Sequence, residues 1–386
     1  MDLIKERSVI LIVNEYFFPA YRAGGPIQSL TNLIIALEHE IDFSVFASAY
    51  DLSMTEPMSA IKINSWNEVN LVGAQKELNV FYATRNFPKG EIKNIINAVN
   101  PTFVYLNGIF SFQFFIWILM LRKSFNFGVI ICPRGMLQKG ALAGKSFKKS
   151  IYLKILKLSG LLNKANWHAT NLEEKEDIKK YFPKNKGIFI AKNIPKIPYQ
   201  NISIPKKIQG ELRLVYLSLI TEKKNLLFTL ELLIDLDRNI SLDIYGPVKD
   251  NAYWKSCIQL INQMPDRVKY RGDLFPDMVQ ETLSKYHAFI LLTKGENFGH
   301  AIYESLSVGR PIITSFYTPW MGLKEGKSGI NVDIGNSEES KCGIVMFMQM
   351  DQVEYEVYCK AAHTLAVSYY SIIKPTDSYD FLRTIN

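Results

Sequence analysis

Glu296 and Glu304 are eight residues apart in LLTKGENFGHAIYESLSVGRPIITS, residues 291–315. A carboxylate offers two acceptor oxygens, which suits the vicinal hydroxyls of a sugar. Eight residues is just over two helical turns. A helix beginning near Asn297 would carry both carboxylates on roughly one side. The turn Gly295-Glu296-Asn297-Phe298-Gly299 follows a short apolar run and opens that helix. Free backbone N–H groups and the positive dipole end then face a phosphate or a hydroxyl. Spacing alone leaves an alternative, with Glu296 as a turn residue or N-cap and Glu304 as a solvated helix residue.

A second chemical segment is YLSLITEKKN, residues 216–225. Ser218, Lys223 and Lys224 lie between a strand and a helix, where paired lysines suit a diphosphate. A surface lysine pair is the other reading. A third is Gly24-Gly25, which either lets backbone N–H groups approach a ligand or makes a plain turn. It is not a G-x-G-x-x-G, so a nicotinamide cofactor is not indicated. Five histidines have no G-x-S-x-G partner, which argues against Ser-His-Asp hydrolysis. His168, within a strand, reads as a core histidine, while His300 could equally touch a ligand or not.

The elements that must hold these residues alternate along the chain. Continuous apolar runs such as Val9–Val13 predict strands buried on both faces. Further strand candidates are 43–47, 80–83, 103–106, 129–132, 167–169 and 187–191. Helical spacing over Pro26–Leu37 follows the Gly24-Gly25 loop. Residues 193–210, NIPKIPYQNISIPKKIQG, break the pattern with three prolines and read as a linker. Strand and helix then alternate again from Leu212, with helices expected over Asn225–Leu236, Gly299–Val308 and Val353–Ala366. Alternation of this kind predicts parallel sheets covered on both faces. The expected fold class is α/β, with two doubly wound Rossmann-like domains facing each other across a cleft. Ligands of such sheets sit at the carboxyl ends of the strands. The expected boundaries are 1–192, the linker, 211–366, and a segment 367–386 packing back toward the first domain.

A chain of 386 residues with 48% apolar and 21% charged residues is globular, neither disordered nor fibrous. Four cysteines make no C-x-x-C pair, so neither a zinc site nor a disulfide framework is indicated, and a reducing compartment fits best. The start of the chain shows no secretory signal pattern. The longest apolar stretch, Ile109–Leu121, is 13 residues. It is too short to span a bilayer, which takes ~20, and reads as a buried core helix over a membrane-inserted one.

Net charge is +8 but uneven. Residues 92–172 hold eleven Lys and Arg and no Asp or Glu, while the remaining chain holds 34 basic and 37 acidic residues. Within them KSFKKSIYLKILKLSGLLNK, residues 145–164, interleaves apolar residues with lysines. This suits an anionic membrane surface through residues 139–164, a phosphorylated substrate, or a solvated helix face. No nucleic-acid module is visible.

The three chemical segments, in this order and in two doubly wound halves, resemble the retaining glycosyltransferases of family 4, which have the GT-B fold. The Glu296-x7-Glu304 context GENFGHAIYESLSVGRPII carries most of the likeness, with LSLITEKKNL and FFPAYRAGGPIQSL. PRGMLQKGAL, ENFGH and Thr318-Pro319-Trp320 resemble a subgroup of bacterial polysaccharide biosynthesis, of capsule or O-antigen type. The resemblance implies that Glu296 contacts donor-sugar hydroxyls and Glu304 the ribose hydroxyls. The backbone at Asn297, Phe298 and Gly299 would line sugar and phosphates. Lys224, with Lys223, would neutralise the leaving diphosphate, Gly25 would approach it, and Gly246-Pro247 would lie near the base. No divalent metal or other cofactor is implied. Two positions depart from the pattern. Leu219 stands where an Arg usually accompanies the lysine, and Asn107 where a His often follows the strand. Asn107 and Arg134 are candidates for the N-terminal wall near the acceptor.

The function so implied is retaining transfer of a hexosyl unit from a UDP-sugar to a lipid-linked or growing surface glycan. The protein would be cytoplasmic or peripheral on the inner face of the plasma membrane, without nucleic-acid partners. The alternatives are a GDP-sugar-dependent mannosyl- or fucosyl-type transferase and a non-catalytic nucleotide-sugar or glycan-binding protein.

Overall fold

A computed structural model describes residues 7–138, 142 and 146–384. Two compact units divide the chain, one of residues 1–194 and 373–386 and one of residues 195–372.

The first unit is built on an eight-stranded sheet. Its strands are β1 (Ser8–Val13), β2 (Ile41–Ser48), β3 (Trp66–Val69), β4 (Leu78–Ala83), β5 (Phe103–Asn107), β6 (Gly128–Cys132), β7 (Asn166–Ala169) and β8 (Gly187–Ile190). Their order is β3-β4-β2-β1-β5-β6-β7-β8. β3 pairs antiparallel with β4, and the remaining pairs are parallel. β3 is the strand that apolar patterning does not predict. WNEV is short, half-buried and at the edge, so no continuous apolar run marks it.

The 13-residue stretch after β5 becomes an irregular helix, Phe112–Ile116 then Trp117–Leu121. It packs Phe114, Phe115, Ile118 and Leu119 into the core. The wide turn of Phe112–Ile116 is opened by Ser111, whose hydroxyl accepts from the Phe114 N–H at 3.2 Å. The chain's last described residues belong to this unit. Tyr379 donates to the Lys192 carbonyl at 2.9 Å, Thr376 to Glu40 at 3.1 Å, and Arg383 pairs with Glu40.

The second unit has six parallel strands, β9 (Leu212–Leu217), β10 (Ile240–Tyr245), β11 (Val268–Gly272), β12 (Ala288–Leu291), β13 (Ile312–Ser315) and β14 (Gly329–Val332). Their order is β11-β10-β9-β12-β13-β14. β9 and β12 are neighbours in register but distant in sequence, with Ala288 opposite Leu214. The order reverses direction at this pair, and a doubly wound sheet opens a crevice there at the carboxyl ends. Residues 195–210 contain no strand or helix and belong to the second unit. Lys207 is buried there, and its Nζ donates to the Met348 and Met350 carbonyls at 2.9 and 3.1 Å. It thereby satisfies acceptors left free at the end of the helix Ser337–Gln349.

Candidate functional site

The carboxyl ends of β9 and β12 bring the two chemical segments of the second unit together. After β9 the chain makes a 3-10 turn, Glu222–Lys224, and then the helix Leu226–Ile234. Asn225 joins them at φ 60°, a left-handed conformation that asparagine tolerates better than most residues. Its side chain donates to the Leu292 carbonyl at 2.9 Å and so pins this turn to the strand next door. Lys224 is thereby aimed at the turn after β12, where its ammonium donates to the Glu296 carboxylate. Both side chains are mostly buried.

Lys223 is held by main chain as well. Its carbonyl accepts from the Lys294 N–H at 2.8 Å and the Thr293 hydroxyl at 3.1 Å. Its side chain lies over Gly295, where an added Cβ would come 3.2 Å from Lys223 Cε. Burial and the Lys224 charge beside it lower the Lys223 pKa. Two lysines against one carboxylate leave this corner with a positive excess, which favours an anion.

The helix of the glutamate segment begins at His300 and ends at Ser307. Glu296 therefore lies in the loop before it, not on a shared helical face with Glu304. Main chain fixes Glu296, whose N–H donates to the Tyr317 carbonyl at 2.9 Å. Gly299 caps the helix at φ 79°, and a Cβ there would meet Ile302 at 2.9 Å. Phe298 is buried among His300, Tyr303, Trp320 and Tyr369. Its carbonyl accepts from Trp320 Nε1 at 2.6 Å. Its ring and carbonyl thus brace the loop. Thr318-Pro319-Trp320 is the matching half of that brace.

Glu304 sits inside the helix at 5% exposure, and burial pushes its pKa up to about 7. Its Oε1 makes no hydrogen bond. Lys196, a residue to which no local pattern pointed, lies 3.7 Å from that oxygen.

Ser218 and Gly246 close the site from the β10 side. Ser218 N–H donates to the Tyr245 carbonyl at 3.2 Å. Gly246 has φ 126°, and a Cβ there would fall 2.0 Å from the Ser218 carbonyl oxygen, so only glycine fits. The Pro247 carbonyl accepts from Ile220 N–H at 2.9 Å and extends the pairing beyond the strands.

The remaining candidates lie in the first unit. Gly24, at φ 67°, precedes the helix Gly25–Leu37, and the space where its Cβ would stand is open. Arg134 adopts φ 54°, a costly conformation for this residue. It donates to Asn107 Oδ1 at 2.7 Å, to the Tyr105 hydroxyl at 3.3 Å, and to Asn193. Asn107 donates in turn to Asn14 at 3.2 Å. His168 is buried in this network with Nδ1 2.7 Å from the Tyr105 hydroxyl. Burial pushes its pKa down to about 3, which fits a core histidine. Glu174, also unforeseen, is fully buried and accepts from Gly135 N–H and from Thr170. Among the described residues no group of three or more His, Cys, Asp and Glu is placed to hold a metal ion.

Residues 211–349 match the family model described as Glycosyl transferases group 1. The fold of the whole chain is GT-B. Sucrose-phosphate synthase from Thermosynechococcus elongatus superposes with a TM-score of 0.73 at 14% identity, covering 98% of this chain and 99% of that one. Anabaena HepE, solved with UDP-glucose, gives 0.68 at 13% identity over 97% and 98%. WaaG, a glycosyltransferase of lipopolysaccharide biosynthesis, gives 0.67 at 11% over 98% and 100%. No curated protein matches the sequence significantly.

Proposed function

We propose that the protein is a retaining glycosyltransferase that moves a hexosyl unit from a UDP-sugar to a lipid-linked or growing surface glycan. The observation that carries this reading is the Lys224–Glu296 pair at the β9–β12 crevice, within the segment that matches the group 1 family model. Donor binding would exchange the pair for two better-matched contacts. Lys224 and Lys223 take the diphosphate, and Glu296 takes sugar hydroxyls. Glu304 takes the ribose diol. The UDP class is supported by likeness to HepE, which was solved with UDP-glucose.

In the reaction the acceptor oxygen attacks the anomeric carbon as the bond to the β-phosphate oxygen breaks. That oxygen takes the acceptor proton on the same face, and UDP leaves. No side chain is needed as nucleophile or base. Lys224 stabilises the charge that grows on the diphosphate, and the loops supply orientation. Lys224, rather than a divalent ion, is assigned this role.

The acceptor side is read as membrane-proximal. The helix Ser146–Leu158 exposes Phe147 at 76% and Leu158 at 86%, with Ile151 and Ile155, among Lys148, Lys154 and Lys157. Apolar side chains framed by lysines suit an anionic bilayer surface. Lys139 and Lys145 of the same basic segment lie outside the described residues. Among the described residues no helix is long and apolar enough to cross a membrane.

A second reading, a nucleotide-sugar or glycan-binding protein without turnover, draws on Leu219 where the family pattern has Arg. Thermal unfolding with UDP, GDP, ADP and CMP, on wild type and Glu304→Ala, tests the donor class. A nucleotide at 100 times its Kd should add ~2.7 kcal/mol. UDP should stabilise wild type and lose its effect on the variant. Stabilisation by GDP alone would move the donor to the mannosyl or fucosyl class. Release of free UDP from UDP-sugars separates transfer from binding.

A further inference from the structure

We propose that Lys196 is a positioning residue of the nucleotide site, an anchored cation that holds the buried Glu304 carboxylate charged. This rests on the ribose role assigned to Glu304 above.

A buried carboxylate tends to take up a proton unless a cation or several donors compensate it. Glu304 is buried within the helix His300–Ser307, and its Oε1 accepts no hydrogen bond. Lys196 Nζ stands 3.7 Å from that oxygen. The distance is close enough for charge and too long for a hydrogen bond. Oε1 is shielded from solvent, so the Lys196 ammonium is the charge that compensates it.

Lys196 is itself fixed in place. Its ammonium donates to the Pro276 carbonyl at 2.9 Å, in the segment between β11 and the helix Val279–Leu283. A lysine on an unbranched four-carbon stem would otherwise wander. Anchored on a carbonyl, it becomes a point charge at a set distance from Glu304.

Other groups around this helix do not share the task. Gln280, from Val279–Leu283, donates to Ser307 at 3.2 Å and is neutral. Glu281 pairs with Lys285 at 2.8 Å on the surface. Tyr303 on the helix and Tyr369 on Gln352–Ile372 are phenols that burial holds well above neutral pH. Arg310, just beyond the helix, spends its guanidinium on the Val308, Ser203 and Tyr286 carbonyls and the Tyr355 hydroxyl. Buried Glu304 titrates near pH 7 even with Lys196 opposing the rise. A protonated Glu304 offers a diol fewer acceptor sites and no charge assistance.

The test uses the full chain. The carboxyl carbon of Glu304 is followed by NMR from pH 5 to 9 without ligand, in wild type, Lys196→Met and Lys196→Arg. The Kd for UDP is measured across the same range, with Glu304→Gln as a fourth protein. Wild-type affinity should weaken as pH falls through about 7. Lys196→Met should move the Glu304 titration and the affinity midpoint up by about one pH unit. Its Kd should then be up to ~10-fold weaker near pH 7 and close to wild type at pH 9. Lys196→Arg should stay near wild type, and Glu304→Gln should bind weakly without pH dependence. A Glu304 titration unmoved by Lys196→Met overturns the proposal. So does an equal loss of affinity at every pH, which would mark a merely structural lysine. If wild type binds no nucleotide while the carboxyl titration still responds to Lys196→Met, the ribose reading of Glu304 is what fails.

Discussion

Lys224 donates to the Glu296 carboxylate across 72 residues of sequence, from the turn after β9 to the turn after β12. The contact joins the two strands at which the sheet order reverses, and it occupies each partner with the other. An ion pair at a binding corner keeps both side chains oriented, so less ordering remains for the ligand to impose.

Under the proposed function, Lys224→Ala removes the main charge assigned to the leaving diphosphate. Loss of one such electrostatic contact should lower kcat/KM for the donor by ~10²–10³-fold. Lys224→Arg should recover part of it. Nucleotide release from a UDP-sugar measures both, and a near-wild-type Lys224→Ala would remove this lysine from the mechanism.

Glu304 ties stability to pH with a definite sign. Its folded pKa, about 7, lies above the ~4.3 of an unfolded glutamate. The folded state therefore holds the proton more tightly. The contribution to stability is full below pH ~4.3 and is lost as pH rises through about 7. The swing is on the order of 3 kcal/mol. Glu304→Gln should abolish that slope, so denaturant unfolding at pH 8 should show the variant more stable than wild type. An unchanged pH slope would contradict this account.

Gly246→Ala places a Cβ 2.0 Å from the Ser218 carbonyl oxygen at φ 126°. Backbone must shift where β9 and β10 end. The cost should be ~2–4 kcal/mol, with nucleotide affinity lost together with stability. Chemical unfolding and a UDP titration on the same preparation read both.

Trp320→Phe keeps the ring stack but removes the donor to the Phe298 carbonyl. A buried carbonyl left unpaired costs ~1–3 kcal/mol. The loop Gly295–Gly299 should loosen, and KM for the donor should rise more than kcat falls. Denaturation midpoints and steady-state kinetics would show this.

The basic face of Ser146–Leu158 predicts binding to vesicles containing anionic lipid, falling as salt rises. Each lysine near the surface adds ~1 kcal/mol. Ile155→Glu with Leu158→Glu should weaken co-sedimentation strongly, since it removes apolar area and lowers the positive charge of the helix. Sedimentation indifferent to lipid charge and salt would refute this docking mode.

Sequence alone determined the layout. The continuous apolar runs at β1, β5 and β12 pointed to strands buried on both faces, and the alternation with helices implied parallel sheets. The two lysines and two glutamates were legible because strand-to-helix turns are local and the motif around Glu296 is compact. Tertiary structure decided which of them meet. Glu296 left the helix because the chain turns at Gly299, and it found Lys224 because β9 and β12 are neighbours. Glu304 drew Lys196 from 108 residues away, and Trp320 took the Phe298 carbonyl. The edge strand β3 likewise took its place only by pairing with β4. The physical reason is common to all four. Periodicity reports which face of a local element is buried, whereas charge compensation and hydrogen-bond satisfaction depend on which distant element the sheet order brings alongside.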